Sequence, residues 1–406
     1  MRRKIPQTTV YFIYSGASAL FFSLVFTVSE IYRIETIGLN PLQLVLVGTV
    51  LEAACLLFEI PTGIVADTKS RKRSVIIGTV LIGSAFALEG FVPSFTAVIL
   101  SQLLWGLGYT FTSGADDAWI ADECDGKNLD SVYLKGAQIS QLFSLIGIIS
   151  STLLGMRRIN LPMIAGGLSF IALAVLLAFL MEEPNFTPAP VEGRNSWQQM
   201  RHTFAEGIRH IGGNPVLIWM VAISLLYGLY SEGVDRLWTA HFLKDIGLPE
   251  AGNLRPVVWI GLIEGTAMLL SIAAAEYIKR RMEKSGRLDR VWMLAAIHAL
   301  MVAMLVGFGI SQNFSMGLSA YLGFYMLRTV NDPVYRAWRN QNIRPEVRAT
   351  VISTYGQIDS LGQILGGPII GYIALKTSVS LAIIAAAVIL SPAAVFLICG
   401  SKRDKR

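Results

Sequence analysis

Charge is scarce in this 406-residue chain: Asp, Glu, Lys and Arg make up 15% of it, against roughly 25% in a soluble globular protein. Cysteine is scarcer still. Cys55, Cys124 and Cys399 are too few and too scattered for a disulfide framework or a metal site. The four histidines, His202, His210, His241 and His298, show no ligand spacing, so neither a metal nor a cofactor is expected. No Gly-x-x-x-x-Gly-Lys-Ser/Thr loop is present, which disfavours ATP as an energy source. No nucleophile–base set of an enzyme is visible either. What is abundant is apolar sequence, 53% of the chain, gathered in blocks. That distribution excludes a soluble enzyme, a nucleic-acid binder and a disordered chain. The N-terminal seven residues are basic, but the apolar stretch behind them is a full span rather than a cleavable leader.

The blocks predict twelve helices, near 9–32, 43–65, 74–92, 95–120, 132–155, 161–181, 215–243, 255–278, 290–310, 314–336, 348–375 and 378–399. A span of about 20 apolar residues crosses the hydrocarbon core. Inside it the backbone must satisfy its own hydrogen bonds, so such runs are helical. The expected fold is an all-α membrane protein of twelve transmembrane helices in two six-helix halves. With the N-terminus in the cytoplasm, twenty-six of the thirty-four Lys and Arg residues fall on the cytoplasmic side and six on the other. Arg236 and Arg328 lie within spans. Both termini are therefore expected in the cytoplasm, and the net charge of +6 reads as a topology signal rather than a polyanion site. Residues 1–181 and 214–406 form the two halves. Between them, 182–213 opens with Glu182-Glu183-Pro184 and continues into Trp197, Met200, Phe204, Ile208 and Ile211 at helical spacing, a linker with an amphipathic helix lying on the membrane.

The halves read as a repeat. Span 4 runs Gly108 to Asp117 and span 10 runs Gly323 to Asp332, each a glycine followed nine residues later by an aspartate. Glu52 sits near the middle of span 2, and Glu264 at a comparable depth in span 8. Between spans 2 and 3 the chain reads Gly63-Ile-Val-Ala-Asp67-Thr-Lys-Ser-Arg71-Lys72-Arg. This resembles the signature of the major facilitator superfamily: Gly, three residues, Asp, three residues, then two basic residues on the cytoplasmic side. Ser70 stands where a glycine is usual, and Thr68 where a basic residue is. Phe58-Glu-Ile-Pro-Thr62 and Arg348-Ala-Thr350 resemble the prokaryotic drug-efflux branch of that superfamily. Departures are visible too. Gln102 occupies a position in span 4 that commonly holds arginine, and span 5 has Gly147 and Gly155 but no proline.

Physics gives the loop a role beside the resemblance: fixed charges at the membrane edge can form an ion-pair latch made in one conformation and broken in another. The resemblance implies that Gly63, Asp67, Arg71 and Lys72 are tied to an acidic residue ending span 4, either Asp117 or Asp122, and to the start of span 11, where Arg348 stands. Ionisable groups at membrane depth are expensive, and they are functional or paired. Glu52, Glu264, Asp332, Asp117, Asp235 and Arg328 are the candidates for proton coupling or substrate binding. Structural pairing is the competing role, above all for Arg328, Asp332 and Arg336 at steps of four. In this superfamily spans 1, 4, 7 and 10 line a central cavity, and the same spans here carry Tyr14, Trp105, Tyr109, Tyr227, Tyr230, Phe324 and Tyr325. Such a cavity suits a flat amphipathic or cationic compound. Small-residue stripes on spans 2, 5 and 11 suit either close static packing or sliding.

The resemblance implies a secondary transporter using alternating access. The expected cargo is a small molecule exported in exchange for protons, across the inner membrane of a prokaryote. Its partners would be the small-molecule substrate, protons and the lipid bilayer, with no nucleic acid. The fold can work as a monomer. An uptake or facilitative carrier for a metabolite is the alternative. A membrane sensor without a transport cycle is disfavoured by the latch and the mid-depth carboxylates.

Overall fold

A computed structural model describes residues 5–124, 128–188, 196–250, 254–282, 287–343 and 347–403. The described residues contain helices and connecting turns and no strand. In chain order the helices are α1 (Gln7–Ile31), α2 (Pro41–Thr68), α3 (Arg71–Phe91), α4 (Phe95–Thr112), α5 (Ala115–Glu123), α6 (Leu129–Gly155), α7 (Leu161–Leu180), α8 (Ser196–Gly212), α9 (Pro215–Ala240), α10 (Pro256–Met282), α11 (Arg287–Gly309), α12 (Phe314–Asn342), α13 (Arg348–Lys376), α14 (Val379–Leu390) and α15 (Pro392–Arg403). α4 with α5, and α14 with α15, each make up one expected span. Eleven spans among the described residues are long and apolar enough to cross a membrane. The twelfth position is α12, 29 residues long and carrying Arg328, Asp332, Arg336 and Arg339 in place of apolar residues.

Local sequence fixes the helix ends. Ser70, Ser94, Asn214, Asn313 and Ser378 each precede a helix and accept a bond from a first-turn N–H, satisfying a donor the helix cannot. The span 4 helix breaks at Gly114, whose φ of 74° is open to glycine at little cost. The repeat also shows in the backbone. α1 runs into a wide π-helical turn, Tyr32–Ile37, closed by Gly38. α9 runs into another, His241–Ile246, closed by Gly247.

The chain divides into two compact units, residues 1–39 with 50–199, and residues 40–49 with 200–406. In the first, α6 lies along α1. The small-residue stripe of span 5 makes this possible: Gly136 faces the Tyr11 ring and Gly147 the Leu20 carbonyl. Ser140 and Ser151 donate to the carbonyls of Ser15 and Leu24, the latter at 2.6 Å. α3 is wedged between α4 and α7, with Gly78 against Gly108 and Gly83 against Gly167. Backbones this close are held by dispersion and need residues without side chains at the crossing.

In the second unit, α9 and α13 are the corresponding close pair. Gly228 meets Gly362, and Gly366 meets the backbone of Leu229. Met220, Ile223, Leu294, Trp338, Tyr355 and Leu397 form its core near one end. Ile211, the last apolar residue of α8, is 4% exposed and belongs to that core, while Gly207 lies against Thr354. The linker helix is therefore seated on the second unit by its C-terminal half.

Candidate functional site

Among the described residues, the ion pairs of the first unit gather at two places. At the end of α1, Arg33 donates to Glu89 through Nε (2.7 Å) and Nη2 (3.1 Å), and to Glu30 through Nη1 (2.7 Å). Ser101 and Gln102 add donors to the Glu89 carboxylate at 2.7 and 3.2 Å. Glu89 is 0% exposed. Buried carboxylates are tolerated when paired and hydrogen-bonded in this way. Sequence reading did not single out Arg33, Glu30 and Glu89 as a cluster. The i, i+3 spacing of Glu30 and Arg33 was the available signal. Gln102, read as a departure from arginine, is one of the groups holding Glu89.

The α2–α3 loop is the other place. Arg71 Nη1 is bonded to Asp122 and, at 2.7 Å, to the Ala118 carbonyl. Asp67, more than half exposed, is 3.9 Å from Arg71. Lys72 donates through Nζ to the Ala178 carbonyl (3.0 Å) and through its backbone N–H to Glu183 (3.0 Å). Glu183 also accepts from Ser70, and Phe186 lies under the Arg71 guanidinium, 5.7 Å from the ring centre. A Cβ on Gly63 would meet nothing within 4 Å. Of the two acidic residues expected near Arg71, Asp122 bonds it. Arg348, in the second unit, donates to the Asn340 carbonyl at 3.4 Å.

Asp117 lines a cavity of about 350 Å³ in the first unit, together with Asp116, Tyr14, Phe22 and Tyr109. No Lys, Arg or His is among its described lining residues. The break at Gly114 produces this arrangement, because α5 restarts with both aspartates in its first turn. Trp105 does not line the cavity. It is packed among Phe22, Phe26 and Phe86, 5.0 Å from Phe26 centre to centre. Glu52 is half-buried, close enough to Cys55 and Tyr109 to act on both electrostatically.

The second unit holds a larger cavity of about 620 Å³, lined by residues of α9, α12 and α13. Arg328 reaches across from α12 to grip Asp235 of α9 with both terminal nitrogens, one at 2.9 Å. Arg336 pairs with Asp332 along α12 at 3.0 and 2.9 Å. Bidentate pairs of this kind are the strong form of the interaction. Arg339 and Asp359 also line the cavity; Arg339 lies over the Tyr355 ring at 6.0 Å and Asp359 accepts from Gln363. Three arginines thus face three aspartates. Tyr227 and Tyr325 are on the wall, with Asn331 and Tyr335. Tyr230 and Phe324 are instead core residues, 0% and 1% exposed. Glu264 is half-buried and near Tyr325; neither it nor Glu52 lines these two cavities. Sequence reading missed Asn331, Tyr335, Arg339 and Asp359 and gave His298 no role. A histidine in the middle of an apolar span was the clue, since burying its two nitrogens requires partners.

Eleven membrane-length spans, a polar twelfth helix and charged cavities inside helical units define a multi-pass membrane protein of the transporter class. The chain belongs to the Major Facilitator Superfamily, whose family model matches residues 10–358. It is 22% identical over 350 residues to the uncharacterized MFS-type transporter YxaM of Bacillus subtilis strain 168, covering 86% of this chain and 85% of that one. Among solved structures it is similar to the nucleoside transporter NupG, with TM-score 0.77 and 15% identity, covering 98% of this chain and 100% of the other. It is also similar to the peptide transporter POT in complex with sulfate, with TM-score 0.78, 13% identity and coverage of 98% and 94%. A third is a bacterial homolog to the human lysosomal transporter Spinster, inward-facing and unoccupied, with TM-score 0.75, 13% identity and coverage of 97% and 96%. At these identities the likeness is one of fold. A small-molecule substrate follows from the family.

Proposed function

We propose that the protein is a secondary active transporter that exports small amphipathic or cationic aromatic compounds in exchange for protons. It would work by alternating access in the inner membrane of a prokaryote, with both termini cytoplasmic and without an enzymatic step. The observation that carries this reading is the cavity of the first unit. Its walls combine Tyr14, Phe22 and Tyr109 with the adjoining carboxylates Asp116 and Asp117, and no cationic side chain is among its described lining residues. An aromatic cation gains there from ring faces and from negative charge in a low-dielectric setting. Arg71 bonded to Asp122, with Asp67 beside it, suits a latch at the end of α2. The loop sequence and Phe58-Glu-Ile-Pro-Thr62 support the drug-efflux branch.

The test is transport in inverted membrane vesicles. An aromatic cationic dye should accumulate inside when an inward-acid gradient is imposed, and leave when an uncoupler collapses it. Dye movement without dependence on the gradient would remove the proton exchange. No movement of any cationic dye would favour the second reading, uptake of a polar metabolite. The balanced arginines and aspartates of the larger cavity favour that alternative, as does the similar fold of a nucleoside and a peptide transporter.

A further inference from the structure

Asn331 is 3% exposed and lies in the wall of the larger cavity. Its nitrogen is committed: Nδ2 donates to the Tyr227 hydroxyl oxygen at 2.7 Å. That hydroxyl stands 2.8 Å from His298 Nε2. The other ring nitrogen, Nδ1, is 2.7 Å from the Leu294 carbonyl oxygen, which can only accept. A neutral ring therefore keeps its proton on Nδ1, and Nε2 accepts from Tyr227. The Tyr227 oxygen is left as an acceptor, which Asn331 fills. The relay fixes the amide, with nitrogen toward Tyr227 and Oδ1 turned the other way. Oδ1 is buried and has no hydrogen-bond partner among the described residues. Buried polar groups are nearly always satisfied, so an acceptor kept in this state at a cavity wall is kept for something else.

The backbone supplies a second acceptor. Pro333 lies inside α12 and has no N–H to offer the carbonyl four residues earlier. That carbonyl belongs to Thr329, another cavity residue. The nearby guanidinium groups of Arg328 and Arg336 are already engaged by Asp235 and Asp332.

We infer that the Thr329–Asn331 stretch reads a hydrogen-bond donor on the transported compound. The substrate class is then an amphipathic molecule carrying an N–H or O–H group, recognised by oxygen acceptors rather than by ring contacts alone. The inference rests on the export reading above and narrows it.

Two lipophilic cations separate the possibilities. Ethidium carries two aromatic amines; tetraphenylphosphonium has neither N–H nor O–H. The quantity to read is the ratio of their gradient-driven transport rates in inverted vesicles. Asn331→Leu should lower the ethidium to tetraphenylphosphonium ratio about tenfold, the worth of one such bond. Asn331→Asp, which as a carboxylic acid keeps both an O–H for Tyr227 and an oxygen acceptor, should hold the ratio within about twofold of wild type on the same account. An unchanged ratio in Asn331→Leu, or an equal fall in Asn331→Asp, overturns the inference and leaves the export reading standing. Movement of neither cation by the wild type overturns both. A readout free of any ligand is ¹⁵N NMR of labelled histidine in nanodiscs, with His298 assigned by difference against His298→Asn. An unprotonated Nε2 is expected; a proton found there would reverse the relay and overturn the assignment of Oδ1 as the free acceptor.

Discussion

Arg33 illustrates what a single residue does in this fold. It pairs with both Glu30 and Glu89, and its side chain is 4% exposed. Replacing it by methionine keeps much of the volume and takes the guanidinium away from two buried carboxylates. Breaking a buried pair from one side costs about 3–5 kcal/mol, so Arg33→Met should show a markedly lower unfolding temperature in detergent micelles. Adding Glu89→Gln to that variant removes one of those charges and should restore part of the loss. No recovery in the double variant would mean that packing around Arg33, not charge, carries the stability. The same logic separates Arg33 from Arg280, whose exposed side chain pairs with Glu276; surface pairs contribute little.

At the scale of the element, the stripes of small residues have a definite use inside each unit. Span 5 is small on one side because α6 lies on α1, and span 11 because α13 lies on α9. A Cβ at Gly83 would run into the carbonyl of Gly167, and γ-methyls would force α3 away from α7. Gly83→Val should therefore destabilise the first unit by about 1–3 kcal/mol, the usual cost of overpacking, seen as a lower unfolding midpoint. Gly63 differs. It sits in α2 with open space where its side chain would be, so alanine should be neutral there or raise stability by up to about 1 kcal/mol through helix propensity. If the loop works as a latch, a surface must close on Gly63 during the cycle, and Gly63→Ala should slow transport while the unfolding midpoint holds or rises. Full transport in that variant would count against a moving contact at this position.

For the whole molecule, the sequence carried the architecture because the bilayer allows few solutions. Length and apolarity define each span, and only α12, loaded with Arg328, Asp332, Arg336 and Arg339, falls below what apolarity alone detects. Its helical spacing and its match to span 4 identified it. Side-chain partners were far less legible. Which face of a helix meets which neighbour depends on a rotation of 100° per residue, and no spacing rule joins Glu89 to Arg33 or His298 to Tyr227 across 56 and 71 residues. Helix ends were easier to place than cavity walls, and the aromatics divided: Tyr14, Tyr109, Tyr227 and Tyr325 line cavities, Tyr230 and Phe324 fill cores, and half-buried Trp105 packs among phenylalanines. The energy source of the cycle belongs to this scale as well. Glu264 is half-buried in α10, near Tyr325 at the wall of the larger cavity. A carboxyl at that depth that binds and releases a proton would tie the cavity to the gradient. Glutamine keeps its shape and abolishes the titration. Glu264→Gln should retain the wild-type elution profile and dye binding, yet lose gradient-driven accumulation in inverted vesicles while still equilibrating dye down its own gradient. Normal accumulation in that variant would remove the proposed coupling role from Glu264 and make Glu52, its counterpart in the sequence repeat, the next residue to test.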